Sequence, residues 1–346
     1  MEKRTDLGQL GEFGLIDHLT SPFIFHQKTT YKGVGDDAAV IDLGNDQGLL
    51  VSTDMLIEGI HFDLIYTPLK HLGYKSVVVN LSDIYAMNGT PSQITASIAI
   101  SNRFSLEAVD ELYAGIKAAC DFYQVDLIGG DTSSTNKGMM ISITALGRGK
   151  ISQLVYRNGA KIGDLICVSG SLGSAYLGLQ LLEREKQLFL DNPETQPDLE
   201  GQNYVVGRQL KPEARRDVIQ LLTQNQITPS SMIDVSDGIA SELFHICQQS
   251  KVGAFVEEEA VPINQEAQLL AIKFNLDPIT CALNGGEDYE LLFTVNPKDL
   301  EKIRFLPDIH IIGEIVPPED GIKLHTKGGN IHHIKAQGWQ HFNPNK

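Results

Sequence analysis

Polar and apolar residues alternate through SQITASIAI (residues 92–100), the period of a half-buried strand. Two further runs, AAVIDL from Ala38 and GLLVSTD from Gly48, read as strands joined by the turn residues Gly44, Asn45 and Asp46. Leu7, Leu10, Leu15, Ile16 and Leu19 fall at helical spacing, with Thr5 or Asp6 as a weak cap. LKHLGYKSVVVNLSDIYAMNG (residues 69–89) is expected to be helical despite its three valines, ending at Asn88-Gly89. A helix from Ser105 to about Tyr123 leads into the strands VDLIGGD and MMISITALGRG.

After Gly149 the pattern restarts, so a domain boundary is expected there, dividing residues 1–149 from 150–346. The second part opens with the strand DLICVSG and a helix from Gly173 to Lys186, then a polar stretch, LDNPETQPDLEGQN, that reads as a surface insertion. A helix is expected to open at Pro212, since proline suits a first turn. SMIDVSDG, a helix with Ile239, Leu243 and Cys247 on one face, GAFVEEE, LNGGEDYELLFTV and two more short strands complete the chain. The texture is α/β or α+β in two domains.

At 346 residues the chain suits two cores better than one. With 28 basic and 44 acidic residues it lacks the basic stripe of a nucleic-acid surface, although cations could still let it bind anions. Its four cysteines form no CxxC pair, so a reducing, cytoplasmic setting is expected. The opening MEKRTDLGQL is not apolar, so no signal segment is expected, and no apolar run reaches membrane-spanning length.

The acids raise the sharper question. GVGDDAAVI (residues 33–41) sets Asp36 and Asp37 side by side against an apolar run, where each carboxylate would raise the other's pKa unless a cation lay near. Asp54, Asp83, Asp131 and Asp237 recur beside Gly, Ser or Thr, and Asp234 stands two residues before Ser236; most of them lie at strand ends. Any one of them is more simply a turn or cap residue, and Asp237 is a good helix-cap candidate. Strand ends within one sheet can converge, so the acids could share a pocket for Mg²⁺, which takes hard oxygen ligands and shares them with phosphates, but spacing alone does not show that they meet. Ser52, Thr53 and Ser236 would add neutral oxygens. There is no GxxxxGK[ST] loop, no HRD or DFG set, and no HExxH. GVGDDA precedes a strand, not a helix, so it is no dinucleotide fingerprint. Gly170 to Gly173 reads as a plain strand-to-helix turn, and His332-His333 as a solvated loop.

GDDAAV, STDMLIEGIHF, NLSDIYAMNGTP, LIGGDTS, YRNGAKIGD, DVSDGI and GGEDYEL occur in the order found in thiamine-monophosphate kinases. The chain resembles that family, part of the superfamily of aminoimidazole-ribonucleotide synthetase and selenophosphate synthetase, from about residue 11 to residue 338. The resemblance implies a two-domain α/β fold whose N-terminal domains pair into a barrel across a homodimer, with ATP between the domains and several Mg²⁺ ions on aspartates. It implies metal ligation by Asp37, Ser52, Thr53, Asp54, Asp83, Asp131, Asp234 and Asp237. ATP contacts are implied for Gly130, Asp131, Arg157 and Ser236, and contacts to the thiamine moiety for His61, Glu287 and Trp339. Trp339 stands where the family commonly has another aromatic residue, and Glu287 is not separable by sequence from its neighbour Asp288. The implied reaction transfers a phosphoryl group from ATP to thiamine monophosphate directly, with no side-chain base. Aminoimidazole-ribonucleotide synthetase chemistry and a non-catalytic nucleotide–Mg²⁺ module are the competing readings. Selenophosphate synthetase is disfavoured, because the first cysteine is Cys120.

Overall fold

The computed structural model describes residues 10–335. The first half contains α1 (Gly11–Thr20), β1 (Thr30–Lys32), β2 (Ala39–Asp42), β3 (Gln47–Ile57), α2 (Leu69–Ala86), β4 (Thr90–Ile100), α3 (Leu106–Tyr123), β5 (Asp126–Ser134) and β6 (Met139–Lys150). Its six strands form one open sheet in the order β1-β2-β3-β6-β4-β5. Every pairing is antiparallel except the parallel β4–β5 pair.

Alternation decides the faces of this sheet. Leu50, Leu56, Ile94, Ile98, Ile141 and Ile143 point under α2 and are buried. Thr53 and Met55 point to the opposite face and are exposed. On the covered face α2 packs against α3 at very short range. A Cβ on Gly73 would lie 1.9 Å from the Leu112 carbonyl oxygen, and one on Gly115 would lie 1.9 Å from that of Lys70. Ser105 caps α3 by accepting from the Ala108 amide.

The second half contains β7 (Leu165–Ser169), α4 (Ser174–Asp191), α5 (Asn203–Leu210), α6 (Arg216–Gln224), β8 (Ser231–Asp234), α7 (Ile239–Ser250), β9 (Gly253–Glu257), α8 (Gln265–Lys273), α9 (Pro278–Asn284), β10 (Leu291–Val295), α10 (Leu300–Ile303), β11 (Ile309–Val316), β12 (Ile322–His325) and β13 (Ile331–His333). Its seven-stranded sheet runs β13-β12-β9-β11-β7-β10-β8, antiparallel apart from the β9–β12 pair. Strands β8 and β10 are buried on both faces, and Met232-Ile233 and Leu291-Leu292-Phe293 are accordingly adjacent apolar residues that do not alternate with polar ones. Ile166, Val168, Ile233 and Leu292 join α7 in one core, while Cys167, Met232, Leu291 and Phe293 join the core of the first half. Apolar packing is therefore continuous between the halves.

Three expectations are corrected. His332-His333, expected in a solvated loop, lie in β13, exposed but paired with β12. No helix opens at Pro212: α6 begins at Arg216, and α5, a short helix with only Val205, Gln209 and Leu210 buried, ends before it. The helix expected to stop at Lys186 continues to Asp191, so the polar stretch is partly helical. Helices α8 and α9 are too short to leave a clear period and were not anticipated. The helix expected from residue 7 lies partly outside the described residues.

The space around Gly73 in α2 and Gly207 in α5 predicts opposite signs for their substitution. Gly73→Ala should destabilise by about 1–3 kcal/mol, since only backbone movement can relieve the clash. Gly207→Ala, which meets nothing within 4 Å, should stabilise by about 0.5–1 kcal/mol through lost unfolded-state freedom. Urea midpoints measure both, and a Gly73→Ala protein as stable as the parent would contradict the tight crossing.

Candidate active site

Four elements deliver carboxylates to one place between the sheets. Asp37 comes from the loop before β2, Asp54 from β3, Asp83 from the last turns of α2, and Asp234 from the end of β8. Asp37, Asp83 and Asp234 each present an oxygen within 4.8 Å of the others. Hydroxyls hold the group in place: Ser52 donates to Asp83, and Ser82 donates to Asp234 at 2.6 Å. The Asp54 amide donates to Asn80 Oδ1 at 2.9 Å.

One guanidinium faces these acids. Arg157 donates to Asp37 Oδ1 from Nη2 at 2.6 Å and from Nε at 3.2 Å. The second oxygen of Asp37 is buried without a hydrogen-bond partner. Asp36 has a different task, accepting from the Arg157 amide at 3.1 Å and pairing with Lys32 at 2.9 Å. The adjacent acids thus diverge, one fixing the loop and one entering the cluster.

Burial is the main force on these groups. It pushes Asp37 up to about 7, with the neighbouring acids adding to the effect and Arg157 opposing it. Asp54 and Asp234 are raised to about 6, also chiefly by burial. Asp83 is raised by burial and then by Asp54, Asp234 and Asp37. A buried acid cluster with one cationic partner and an orphaned oxygen fits a divalent cation with hard oxygen ligands. Asp237 also reaches this region, but α7 is capped at Gly238 and the Glu242 carboxylate accepts from the Asp237 amide at 2.8 Å. Asp237 is therefore not needed as the α7 cap residue.

The acids line a cavity of about 1270 Å³ whose wall also includes Ser52, Thr53, His61, Arg157, Ser236, Asp237 and Glu287. His61 Nδ1 accepts from the Ile57 amide at 3.1 Å, and Ser236 accepts from the Glu287 amide at 2.7 Å. Glu287 and Asp288 are separated by their surroundings. Glu287 lines the cavity, whereas Asp288 is fully buried and accepts from the Gly173 and Ala175 amides, capping α4. At the cavity wall Tyr66 donates to Glu183 at 2.7 Å and Lys186 pairs with Asp63 at 2.8 Å, linking the two halves.

Gly130 and Asp131 are not brought to this cavity within one chain. They lie on β5, three strands from β3, which is about 14 Å at ordinary strand spacing. Asp131 pairs with Ser97, Ser97 with Ser142, and Ser142 with Met55. That row lies on the face turned away from α2, opposite to Asp54. Gly130 is required by close packing, since a Cβ there would lie 1.8 Å from the Ala96 oxygen. Trp339 lies outside the described residues.

Sequence reading missed Asn80, Ser82, Lys75 and Gln209, although a lysine inside the apolar core of a helix was a visible signal. A second cavity, of about 920 Å³, is lined by Arg208, Arg215 and Glu290 among others. Two of its cations are already paired, Arg208 with Glu290 and Arg215 with Glu290, Asp217 and Asp308, while Arg216 donates to the Phe122 carbonyl. Among the described residues no helix is long and apolar enough to cross a membrane.

Two open sheets sharing a core, with an acid-lined cavity between them, define the class of protein. Residues 35–149 match the AIR synthase related protein N-terminal domain, and residues 161–324 match the corresponding C-terminal domain. The thiamine-monophosphate kinase of Aquifex aeolicus (strain VF5) is 34% identical over 338 residues, 97% of this chain and 99% of that protein. The thiamine-monophosphate kinase of Bacillus subtilis (strain 168) is 33% identical over 295 residues, 85% of this chain and 86% of that one. A solved structure described as "AaThiL complexed with AMPPCP and TMP" superposes with a TM-score of 0.82 at 32% identity, over 98% of this chain and 99% of that one. The chain belongs to the thiamine-monophosphate kinases of the AIR synthase related family.

The raised carboxyls fix how metal-free stability depends on pH. Their folded pKa values of about 6 to 7 exceed the ordinary carboxyl value of 3.8, so the folded chain holds protons that the unfolded chain releases. These groups therefore favour folding most at low pH, and that contribution is lost as pH rises through 6 to 7. Mg²⁺ binding to the ionised cluster should reverse the loss, so its stabilising effect should be larger at pH 7.5 than at pH 5.5. Thermal melts with and without Mg²⁺ at both values test this, and equal gains would contradict the cluster as the metal site.

Proposed function

We propose that this protein transfers the γ-phosphoryl group of ATP to thiamine monophosphate, giving ADP and thiamine diphosphate. The observation that carries the reading is the convergence of Asp37, Asp83 and Asp234 in the cavity that Glu287 also lines. The structure described as complexed with AMPPCP and TMP supports it, since this chain matches that one at near full length. In this reading Asp37, Ser52, Thr53, Asp54, Asp83, Asp131, Asp234 and Asp237 hold Mg²⁺. Gly130, Asp131, Arg157 and Ser236 contact ATP, and His61, Glu287 and Trp339 face the thiamine moiety.

The acceptor is itself a phosphate, whose second pKa of about 6 leaves it largely ionised at neutral pH. The protein therefore needs no strong base, and direct in-line transfer places the demand on alignment and charge. Bound Mg²⁺ would supply the neutralisation that lets two polyanions approach. Arg157 adds a fixed positive charge, while Ser52, Ser82 and Asn80 hold the acids before substrate arrives.

A homodimer whose N-terminal sheets close into a barrel accounts for β5. All of its residues are exposed, including Leu127 at 43% and Ile128 at 57%. Thr53 lines the cavity yet projects to the same uncovered face as Asp131. A second copy laid on that face would bring its own Gly130 and Asp131 towards Thr53. The division at residues 1–149 and 150–346 is supported by the change of sheet between Lys150 and Leu165. Four free, buried cysteines suit a reducing compartment such as the cytoplasm.

Phosphorus NMR of ATP, Mg²⁺ and thiamine monophosphate should show thiamine diphosphate growing with the protein present. Asp83→Asn and Asp131→Asn should each lower turnover about 1,000-fold, about 4 kcal/mol. Sedimentation should give a species of twice the 38.0 kDa chain mass. Mixed dimers of the two variants contain one site with both lesions and one with neither. Random pairing should then recover about a quarter of parental turnover, whereas no recovery in proven mixed dimers would place Asp131 in its own chain's site, and an Asp131→Asn protein with parental turnover would place it outside the site.

A further inference from the structure

We infer that Lys75 is a positioning residue for the phosphate acceptor, fixing Glu287 as a directional hydrogen-bond acceptor instead of a free counter-charge. The inference rests on the proposed function, because it concerns what the Glu287 side of the cavity selects. Lys75 lies in the middle of α2 and its side chain is 3% exposed. Its Nζ stands 2.8 Å from Glu287 Oε1 and donates to the Gln209 carbonyl at 3.1 Å. Gln209 Nε2 donates to Glu287 Oε2 at 2.8 Å. Each carboxylate oxygen is therefore held, one from the first half of the fold and one from the second.

The backbone makes the hold tighter. Glu287 has φ +66° and Tyr289 has φ +51°, both in the left-handed region. The Glu287 and Tyr289 amides donate to Ser236 and Val235 at 2.7 and 2.8 Å. A residue fixed through both its backbone and its side chain has little freedom to lose when a ligand binds.

Pairing also changes what Glu287 offers. The buried ammonium cancels its charge, so a ligand meets a local dipole with oriented lone pairs. A carboxylate has about four acceptor positions, and Lys75 and Gln209 take one on each oxygen. What remains suits an N–H donor on the ligand. Thiamine monophosphate carries both an exocyclic ring amine and a cationic ring, and this geometry selects the amine.

The two features separate in an analogue that keeps the cationic ring but has a carbonyl in place of the amine. The parent protein should prefer the amine in kcat/KM by about 100-fold or more, because a site built around a hydrogen bond rejects the ligand that lacks it. Lys75→Met frees Glu287 to rotate and leaves its charge uncancelled. It should raise KM for thiamine monophosphate about tenfold, leave KM for ATP within about twofold, and shrink the preference for the amine. A purely structural tie between the halves would instead lower the melting temperature and leave the preference intact. An unchanged preference in folded Lys75→Met, or equal rises in both KM values, overturns the inference. Should that variant fail to fold, Gln209→Leu removes the other hold without stranding a charge, and an unchanged preference there overturns it equally. A parent that phosphorylates both compounds alike refutes the inference while the kinase reading stands. A parent that forms no thiamine diphosphate refutes the kinase reading itself.

Discussion

The structure depends on keeping several carboxylates close together in a place with little water. Asp37, Asp54, Asp83 and Asp234 would repel one another and resist burial, yet they sit at the junction of two sheets with one guanidinium facing them. Hydrophobic packing supplies the rigidity that holds them. The core of the first half runs on into Cys167, Met232, Leu291 and Phe293 of the second, so the strand ends that carry the acids cannot easily move apart. The excess negative charge is left for a cation to neutralise.

Helix α2 carries much of this arrangement. It is buried along most of its length, with its apolar residues against the first sheet and its polar ones directed to particular partners. Lys75 reaches Glu287, Asn80 accepts from Asp54, Ser82 donates to Asp234, and Asp83 joins the cluster. From Lys75 to Asp83 the helix rises about 12 Å. One rigid element thereby sets the spacing between the acid cluster and the Glu287 wall, which matters for a reaction that depends on alignment. The close contact at Gly73 and Gly115 places α2 against α3 with little tolerance.

Acids that look alike in sequence perform different work. Asp288 caps α4, Glu290 clamps Arg208 and Arg215, and Asp36 fixes the loop beside Asp37. Each has a backbone amide or a cation as its partner. Asp36 and Asp37 each bury one oxygen without a hydrogen-bond donor, but that of Asp36 faces the Lys32 ammonium, whereas Arg157 holds only the other oxygen of Asp37.

Sequence by itself determined most of the strands and the long helices, because alternation and helical period are local properties that one chain displays in order, while the three-residue strands β1 and β13 are too short to show either. It also gave the acid motifs, whose order over nearly the whole length identified the family. Short helices such as α5, α8 and α9 were not legible, since two turns carry too few apolar positions to define a period. Only the tertiary structure decided which acids meet. Strand register put Asp131 on the sheet face opposite Asp54, and an alternating sequence cannot state which face a neighbouring strand will share. Glu287 and Asp288 are adjacent in the chain, yet one lines the cavity and the other caps a helix, because successive side chains take different directions from one backbone. Lys75, Gln209 and Glu287 are far apart in sequence, and no local pattern links them. They meet only because the two halves share a core, and packing at that distance is settled by the folded chain as a whole.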